Sequence, residues 1–289
     1  MLSKEILKKI AEIEIHTRRI MSNTLMGDSR SAQKGSGFEF NQIREYQMGD
    51  DVRFIDWRAS ARSNKLLVKE YIEERNRTIM IILDISRSTQ FTSDLSSNAD
   101  ILKQVAAVLA FVSGYSKDRV GLILYSETVE CFVPPAMGHT HVHEIIKHIF
   151  SHEARSKKTY GAAALDRLKQ MKNRKAVVFI LSDCIDDSLG AALKLASRVY
   201  EIVLIRCLDA VERDLPNAGF LPVIDPETGK SCVLDTRSKQ RMGIRAYLEE
   251  RALEQRKLYS KYSLDCLDLT NNETFIDEVV RFFRRRMTY

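Results

Sequence analysis

The chain has 289 residues, 44% hydrophobic and 29% charged, and a net charge of +6, values ordinary for a globular protein of one large domain or a domain with an attached segment. Its clean apolar stretches are short, Val105 to Val112 for example. A membrane-spanning helix needs roughly 20 apolar residues, so no integral membrane segment is expected. Five cysteines, with no Cys-x-x-Cys spacing, argue against a disulfide framework or structural zinc and for a reducing, cytoplasmic setting. The charged N-terminus has neither the apolar run nor the cleavage site of a signal peptide.

The pattern divides near residue 77. In the first part, Ile6, Ile10, Ile13 and Ile20 share one face of a helix expected over residues 3–25. A polar, glycine-marked stretch from Gly27 to Phe40 follows, and then a mixed segment from Arg44 to Arg75. With few apolar runs, residues 1–76 read as a helix and arm packed on the second part, with Trp57 as an aromatic anchor between them.

From residue 77 to 289, strands and helices alternate. Thr78 to Asp84 is an apolar, β-rich run of the kind a buried parallel strand requires. The nearly all-apolar Ile101 to Val112 is a helix, and Val120 to Tyr125 is a second strand with Glu130 to Val133 able to pair beside it. Val142 to Phe150 and the stretch from Ala164 to Met171 are helical. Ala176 to Leu181 is a third strand, Leu189 to Val199 a helix and Ile202 to Leu208 a fourth strand. Pro222 to Ile224 and Cys232 to Leu234 flank a turn over 225–229 and predict an edge hairpin. Residues 241–261 and 274–286 are terminal helices, with Leu264 to Leu269 a short edge strand between them. The alternation predicts an α/β fold, a doubly wound, Rossmann-like, mostly parallel sheet with helices on both faces.

In such a sheet, ligands bind outside the carboxyl ends of the strands. The first strand ends in Asp84-Ile85-Ser86-Arg87-Ser88, the third in Ser182-Asp183, and Thr159 precedes the helix that leads into the third. These carboxylates and hydroxyls are hard oxygen donors, suited to Mg²⁺ or Mn²⁺ and not to zinc. Ser86 and Ser88 flank one residue, so both hydroxyls can turn to the same side of a loop.

Asp84-x-Ser86-x-Ser88, Thr159 and Asp183, in this order on these strands, resemble the metal-ion-dependent adhesion site of von Willebrand factor A domains. The resemblance implies that the serines and threonine offer direct or near-direct oxygens, that the aspartates bind mainly through water, and that one position stays open for an acidic ligand. Upstream, Gly35-Ser-Gly-Phe-Glu39-Phe, Arg44-Glu45-Tyr46, Gly49-Asp50-Asp51-Val-Arg53, Ile55-Asp56-Trp57, Ala61-Arg62 and Lys69-Glu70 resemble the bacterial family called domain of unknown function 58. The likeness runs from about residue 10 to residue 235 and takes in Pro134-Pro135 and the turn from Asp225 to Gly229. It departs at Met48, where proline is common. Members carry such an arm before an A-type domain and are usually encoded beside MoxR-type AAA+ ATPases. The resemblance therefore implies a non-enzymatic interaction protein working with such an ATPase and a client protein in chaperone-like assembly.

Other signals are weaker. Gly229-Lys230-Ser231 lacks the earlier glycine and the following helix of a phosphate loop. Gly49-Asp50-Asp51 is better explained by ion pairs with Arg44 and Arg53. His148 follows His143 one residue too late for the zinc-protease spacing, and His148 with His152 reads as a surface helix before it reads as a chelate. The glycine-flanked nucleophile elbow is missing around Ser86, so no catalytic residue is assigned. An Mg²⁺-dependent phosphoryl-transfer enzyme using Asp84 is the alternative, although haloacid-type phosphatases need a second aspartate where this chain has Ser86. Residues 237–289 carry 12 Lys/Arg against 8 Asp/Glu, including Arg284, Arg285 and Arg286, but these are helical stretches with charges of both signs, so nucleic acid is not an expected partner.

Overall fold

The computed structural model describes residues 38–73, 77–90, 97–171, 176–184, 186, 188–208, 217–225, 229–237, 239–270 and 275–287. The helix expected over residues 3–25 lies outside them. The described residues fall into two compact units, 38–73 and those from 77 onward.

In the first unit, β1 (Phe38–Glu45) pairs antiparallel with β2 (Leu67–Glu73). Between them lie a 3₁₀ turn (Val52–Phe54) and the short helix α1 (Trp57–Ser63). Asp56 caps α1 by accepting from the Arg58 and Ala59 amides, and Asn64, left-handed at φ 55°, ends it. The ion pairs expected around Gly49 are present, with Arg44–Asp50 at 2.6 Å and Arg53–Asp51 at 2.7 Å. The Arg44 guanidinium holds the Asp50 carboxyl down at about 2. Trp57 corrects the sequence reading. It opens a seven-residue helix with no buried residue and is 67% exposed, where burial was expected. Val68 is the buried hydrophobic residue among those of this unit whose burial is described.

The second unit is built on a six-stranded sheet. Its strands are β3 (Thr78–Asp84), β4 (Arg119–Tyr125), β5 (Val129–Ala136), β6 (Ala176–Ser182), β7 (Glu201–Leu208) and β10 (Asp265–Thr270), in the order β10-β7-β6-β3-β4-β5. All pairings are parallel except β4 with the edge strand β5. That pairing shifts register between Val120 and Leu122, opposite the part of β5 that carries Pro134 and Pro135. β8 (Phe220–Ile224) and β9 (Ser231–Asp235) form a separate hairpin. The doubly wound, mostly parallel sheet expected of a von Willebrand factor A-like domain is therefore observed.

The apolar runs of the strands bury both faces of the sheet. Ile79, Ile81 and Leu83 of β3 pack with α2 (Asn98–Tyr115), α3 (His139–Ser151) and Phe275 and Val279 of α7 (Phe275–Met287). Met80 and Ile82 point the other way, into a second core with α4 (Gly161–Lys169), α5 (Ser188–Ala196) and Tyr259 of α6 (Lys239–Lys261). This is the period-two alternation of a strand covered on both sides. The terminal basic cluster is partly committed to structure, because Arg286 pairs with Glu201 and, at 3.0 Å, with Asp265. No described helix is long and apolar enough to cross a membrane.

Where α2 approaches α3, a Cβ added to Gly114 would stand 2.4 Å from Val142 Cγ2. Alanine would gain about 1 kcal/mol of helix propensity, but overpacking costs about 1–3 kcal/mol. Gly114→Ala is expected to lower stability in urea titration, and adding Val142→Ala is expected to remove most of that loss. A stabilised single variant would contradict the close helix approach.

Candidate functional site

The sheet changes winding direction beside β3. From β3 the chain moves outward through β4 and β5, then crosses back to β6 on the other side of β3 and continues through β7 to β10. The switch point therefore lies between the carboxyl ends of β3 and β6, where the ends of neighbouring strands leave a crevice. Asp84 closes β3, and Asp183 follows β6 directly.

Asp84 is 1% exposed, and Asp183 is buried with it. Asp84 Oδ1 accepts the Ser86 amide at 2.9 Å, a local turn that draws the chain back over the strand end. Asp84 Oδ2 accepts the Ser182 hydroxyl at 2.8 Å and the Tyr125 hydroxyl at 3.3 Å. Ser182 Oγ also lies 3.4 Å from Asp183 Oδ1. The Ser86 and Ser88 hydroxyls stand 3.0 Å apart, so the expectation that they turn to one side of the loop is met. Burial and the neighbouring Asp183 charge push the Asp84 carboxyl up to about 7, and the bonds from Ser86 and Ser182 only partly offset this. The same burial and the Asp84 charge push the Tyr125 phenol well above its usual range, which keeps it a hydrogen-bond donor.

Thr159 lies half-buried in the segment between α3 and α4. The next residue, Tyr160, donates its amide to the Ser126 carbonyl at 2.9 Å, while the Ile85 amide donates to the Tyr125 carbonyl at 2.9 Å. Two consecutive carbonyls at the end of β4 thus hold the Asp84–Ser88 loop and the Thr159 segment to one edge. Asp84, Ser86, Ser88 and Asp183 form one cluster there, and Thr159 is held to the same edge by its neighbour.

Sequence reasoning missed several contributors, the Tyr125 hydroxyl among them. Ser182 bridges the carboxylates and was visible only as a polar residue closing a buried strand. Cys184 adopts the left-handed conformation, φ 57°, unusual for a residue with a side chain. Its amide donates to Ser182 Oγ at 2.9 Å, and its carbonyl accepts from Gln255 Nε2 at 2.8 Å. Gln255 also accepts from Arg206 at 2.8 Å, and Arg206 donates to Asp268 at 2.7 Å. No sequence pattern announces a contact 71 residues away. The two histidines weighed as a chelate each face a carboxylate. His148 faces Glu144 at 4.0 Å, and His152 bonds Glu130 at 3.0 Å.

The donor chemistry fits a small hard cation. Two carboxylates share a buried site with hydroxyl oxygens, an arrangement that disfavours ionising both acids unless positive charge joins them. Among the described residues no group of three or more His, Cys, Asp or Glu could hold a metal, so hydroxyls must complete any such set.

Fold and site together define a doubly wound α/β domain with a carboxylate-and-hydroxyl cluster at its switch point. The chain belongs to the family described as protein of unknown function DUF58, whose family model matches residues 42–258. The match begins later and ends later than the motif resemblance alone indicated. The chain is 26% identical over 220 residues to Rv1480 of Mycobacterium tuberculosis, covering 75% of this chain and 69% of that one. It is 35% identical to YeaD of Bacillus subtilis over 63 residues, covering 22% of this chain and 16% of that one. Solved structures similar to it include BatB from Bacteroides thetaiotaomicron, with TM-score 0.48, 13% identity and coverage of 74% of this chain and 100% of that one. The SpRpn10 VWA domain gives TM-score 0.42 and 10% identity over 70% and 93% of the two chains. The fold assignment rests on the sheet order described above.

The like-charge pair sets a pH dependence. Asp84 is pushed up to about 7 from its ordinary 3.8. Between these limits the folded state holds more protons than the unfolded state, so stability falls as pH rises from about 4 to about 7. Thermal melts in EDTA across this range are expected to show the decline, and Asp84→Asn is expected to flatten it. A wild-type melting temperature that rises through the window would contradict the buried pair.

Proposed function

We propose that this protein is a non-enzymatic interaction module that captures an acidic residue of a partner protein through Mg²⁺ held by Asp84, Ser86, Ser88, Thr159 and Asp183. Mn²⁺ is the expected substitute. The observation that carries the reading is the buried Asp84 and Asp183 pair with the Ser86 and Ser88 hydroxyls 3.0 Å apart at the switch point. Bound Mg²⁺ would supply a Lewis-acidic centre that attracts one further anionic oxygen. Ser86, Ser88 and Thr159 offer neutral oxygens and so leave most of the ion's charge for a ligand. Asp84 and Asp183 supply the negative charge, with the Ser182 and Tyr125 hydroxyls fixing the Asp84 carboxylate in place. Membership of the family supports an interaction role, and the company its members keep makes a MoxR-type AAA+ ATPase and its client the expected partners.

The phosphoryl-transfer alternative fares worse. A nucleophilic carboxylate must reach substrate, yet Asp84 is almost fully buried and both its oxygens accept hydrogen bonds. No second aspartate stands two residues later.

Mg²⁺ is expected to raise the melting temperature of the wild-type protein, with modest affinity because Mg²⁺ keeps several waters. Asp84→Ala is expected to abolish the shift, and equal shifts in both proteins would remove the site. In affinity capture with a MoxR-type ATPase as bait, Asp183→Ala is expected to weaken retention about as much as EDTA does. Retention that survives both treatments would move the interface elsewhere. Hydrolysis of a generic phosphoester by the pure protein, lost in Asp84→Ala, would replace the interaction reading with the enzyme.

A further inference from the structure

Thr159 belongs to a stretch that regular structure does not hold. Residues 152–160, between α3 and α4, contain no helix or strand, so their backbone amides must find partners elsewhere. Glu130, on the edge strand β5, supplies them. Its side chain is only 2% exposed. Its carboxylate accepts the Arg155 amide at 3.1 and 3.0 Å, one bond to each oxygen, and His152 Nε2 at 3.0 Å. It also accepts the Ser126 hydroxyl and the Ser156 amide. Burial alone would raise its pKa, but these bonds outweigh burial and hold the carboxyl below its usual range, so the group stays an acceptor.

The β4–β5 turn adds two more ties. Glu127 Oε2 accepts the Ser156 hydroxyl at 2.9 Å, and the Ser126 carbonyl accepts the Tyr160 amide at 2.9 Å. Downstream, the Gly161 amide donates to Asp186 at 2.5 Å. The segment is therefore pinned on both sides of Thr159, and the buried upstream pin, Glu130, touches none of the proposed ligands in any of these bonds.

We infer that Glu130 is the positioning residue of the metal site, a latch whose carboxylate gathers the 152–156 backbone and thereby presents Thr159 to the Asp84–Ser88 loop. The inference rests on the metal reading above for its functional consequence, but the latch has its own readout. A glutamine at this place keeps the volume and one acceptor oxygen, and it replaces the other with an NH₂ group that faces amide donors. The segment loses a bond and gains a donor–donor conflict.

The test uses the full chain as wild type, Glu130→Gln and, as a control, Glu144→Gln, which changes an exposed carboxylate on α3. Peptide-resolved amide exchange is measured in EDTA, and Mn²⁺ binding is measured by titration. Glu130→Gln is expected to lose exchange protection over 153–160 while the β3 and β6 peptides keep theirs. Its Mn²⁺ affinity is expected to fall about 10-fold or more, the usual effect of losing a group that orients a metal ligand. The control is expected to match wild type in both readouts. Unchanged exchange over 153–160 overturns the latch. Loosened exchange with unchanged Mn²⁺ affinity shows a loop brace and overturns the positioning role. Global loss of protection overturns it as well, since Glu130 would then serve the whole fold. If the wild type takes up no Mn²⁺, the metal reading falls, and with it the positioning role, while the exchange data still decide whether the latch exists.

Discussion

Two acids buried side by side are the constraint around which the rest of this domain is arranged. Asp84 and Asp183 terminate adjacent strands, so the parallel pairing that builds the sheet also forces their side chains together. A low-dielectric interior magnifies their repulsion. The fold answers with hydroxyls: Ser182 between the two carboxylates, Tyr125 beside one of them and Ser86 in the turn above. These dipoles hold the pair in place without neutralising it. A packed apolar pair at the same strand ends would avoid this desolvation and repulsion, so burying two acids there costs the fold stability.

The sheet's winding was largely legible because the signal is redundant. Each central strand is a run of residues such as Thr78 to Asp84 or Ala176 to Ser182, apolar on both faces, and each intervening helix shows its own stripe. The hairpin of β8 and β9 was marked by turn residues at Asp225 and Gly229. The motif residues were legible because strand ends are where such folds bind ligands, and Asp84, Ser86 and Ser88 announce themselves by spacing. What stayed hidden depends on partners distant in sequence. Nothing near Glu130 distinguishes it from a solvent-facing residue of an edge strand, because, apart from the Ser126 hydroxyl, its bonds go to residues 22 to 26 positions later. Cys184 carries no glycine signal for its left-handed backbone, since Gln255 and Ser182 hold that conformation from outside. Trp57 misled for the opposite reason. A lone large aromatic predicts burial by its area, but it stands in the first turn of a short helix that has no buried residue.

The Asp84–Ser88 loop and the Thr159 segment also share a mechanical origin. The Tyr125 and Ser126 carbonyls receive one loop each, and the turn they open leads into the strand that bears Glu130. The antiparallel β4–β5 pair is thus more than an edge to the sheet. It is the part against which both upper loops are set, which gives this one antiparallel pairing a purpose in an otherwise parallel arrangement.

That same edge has a further consequence for the company the protein can keep. β5 is the outermost strand, and an outermost strand ordinarily offers a row of amides and carbonyls on which another chain can extend the sheet. Here Pro134 and Pro135 remove two adjacent donors, and the register shift opposite them bends the ladder out of line. A peptide laid along this edge would find its hydrogen bonds interrupted after a few residues. Association by sheet extension, whether with a partner or with another copy in a growing aggregate, is disfavoured on this side.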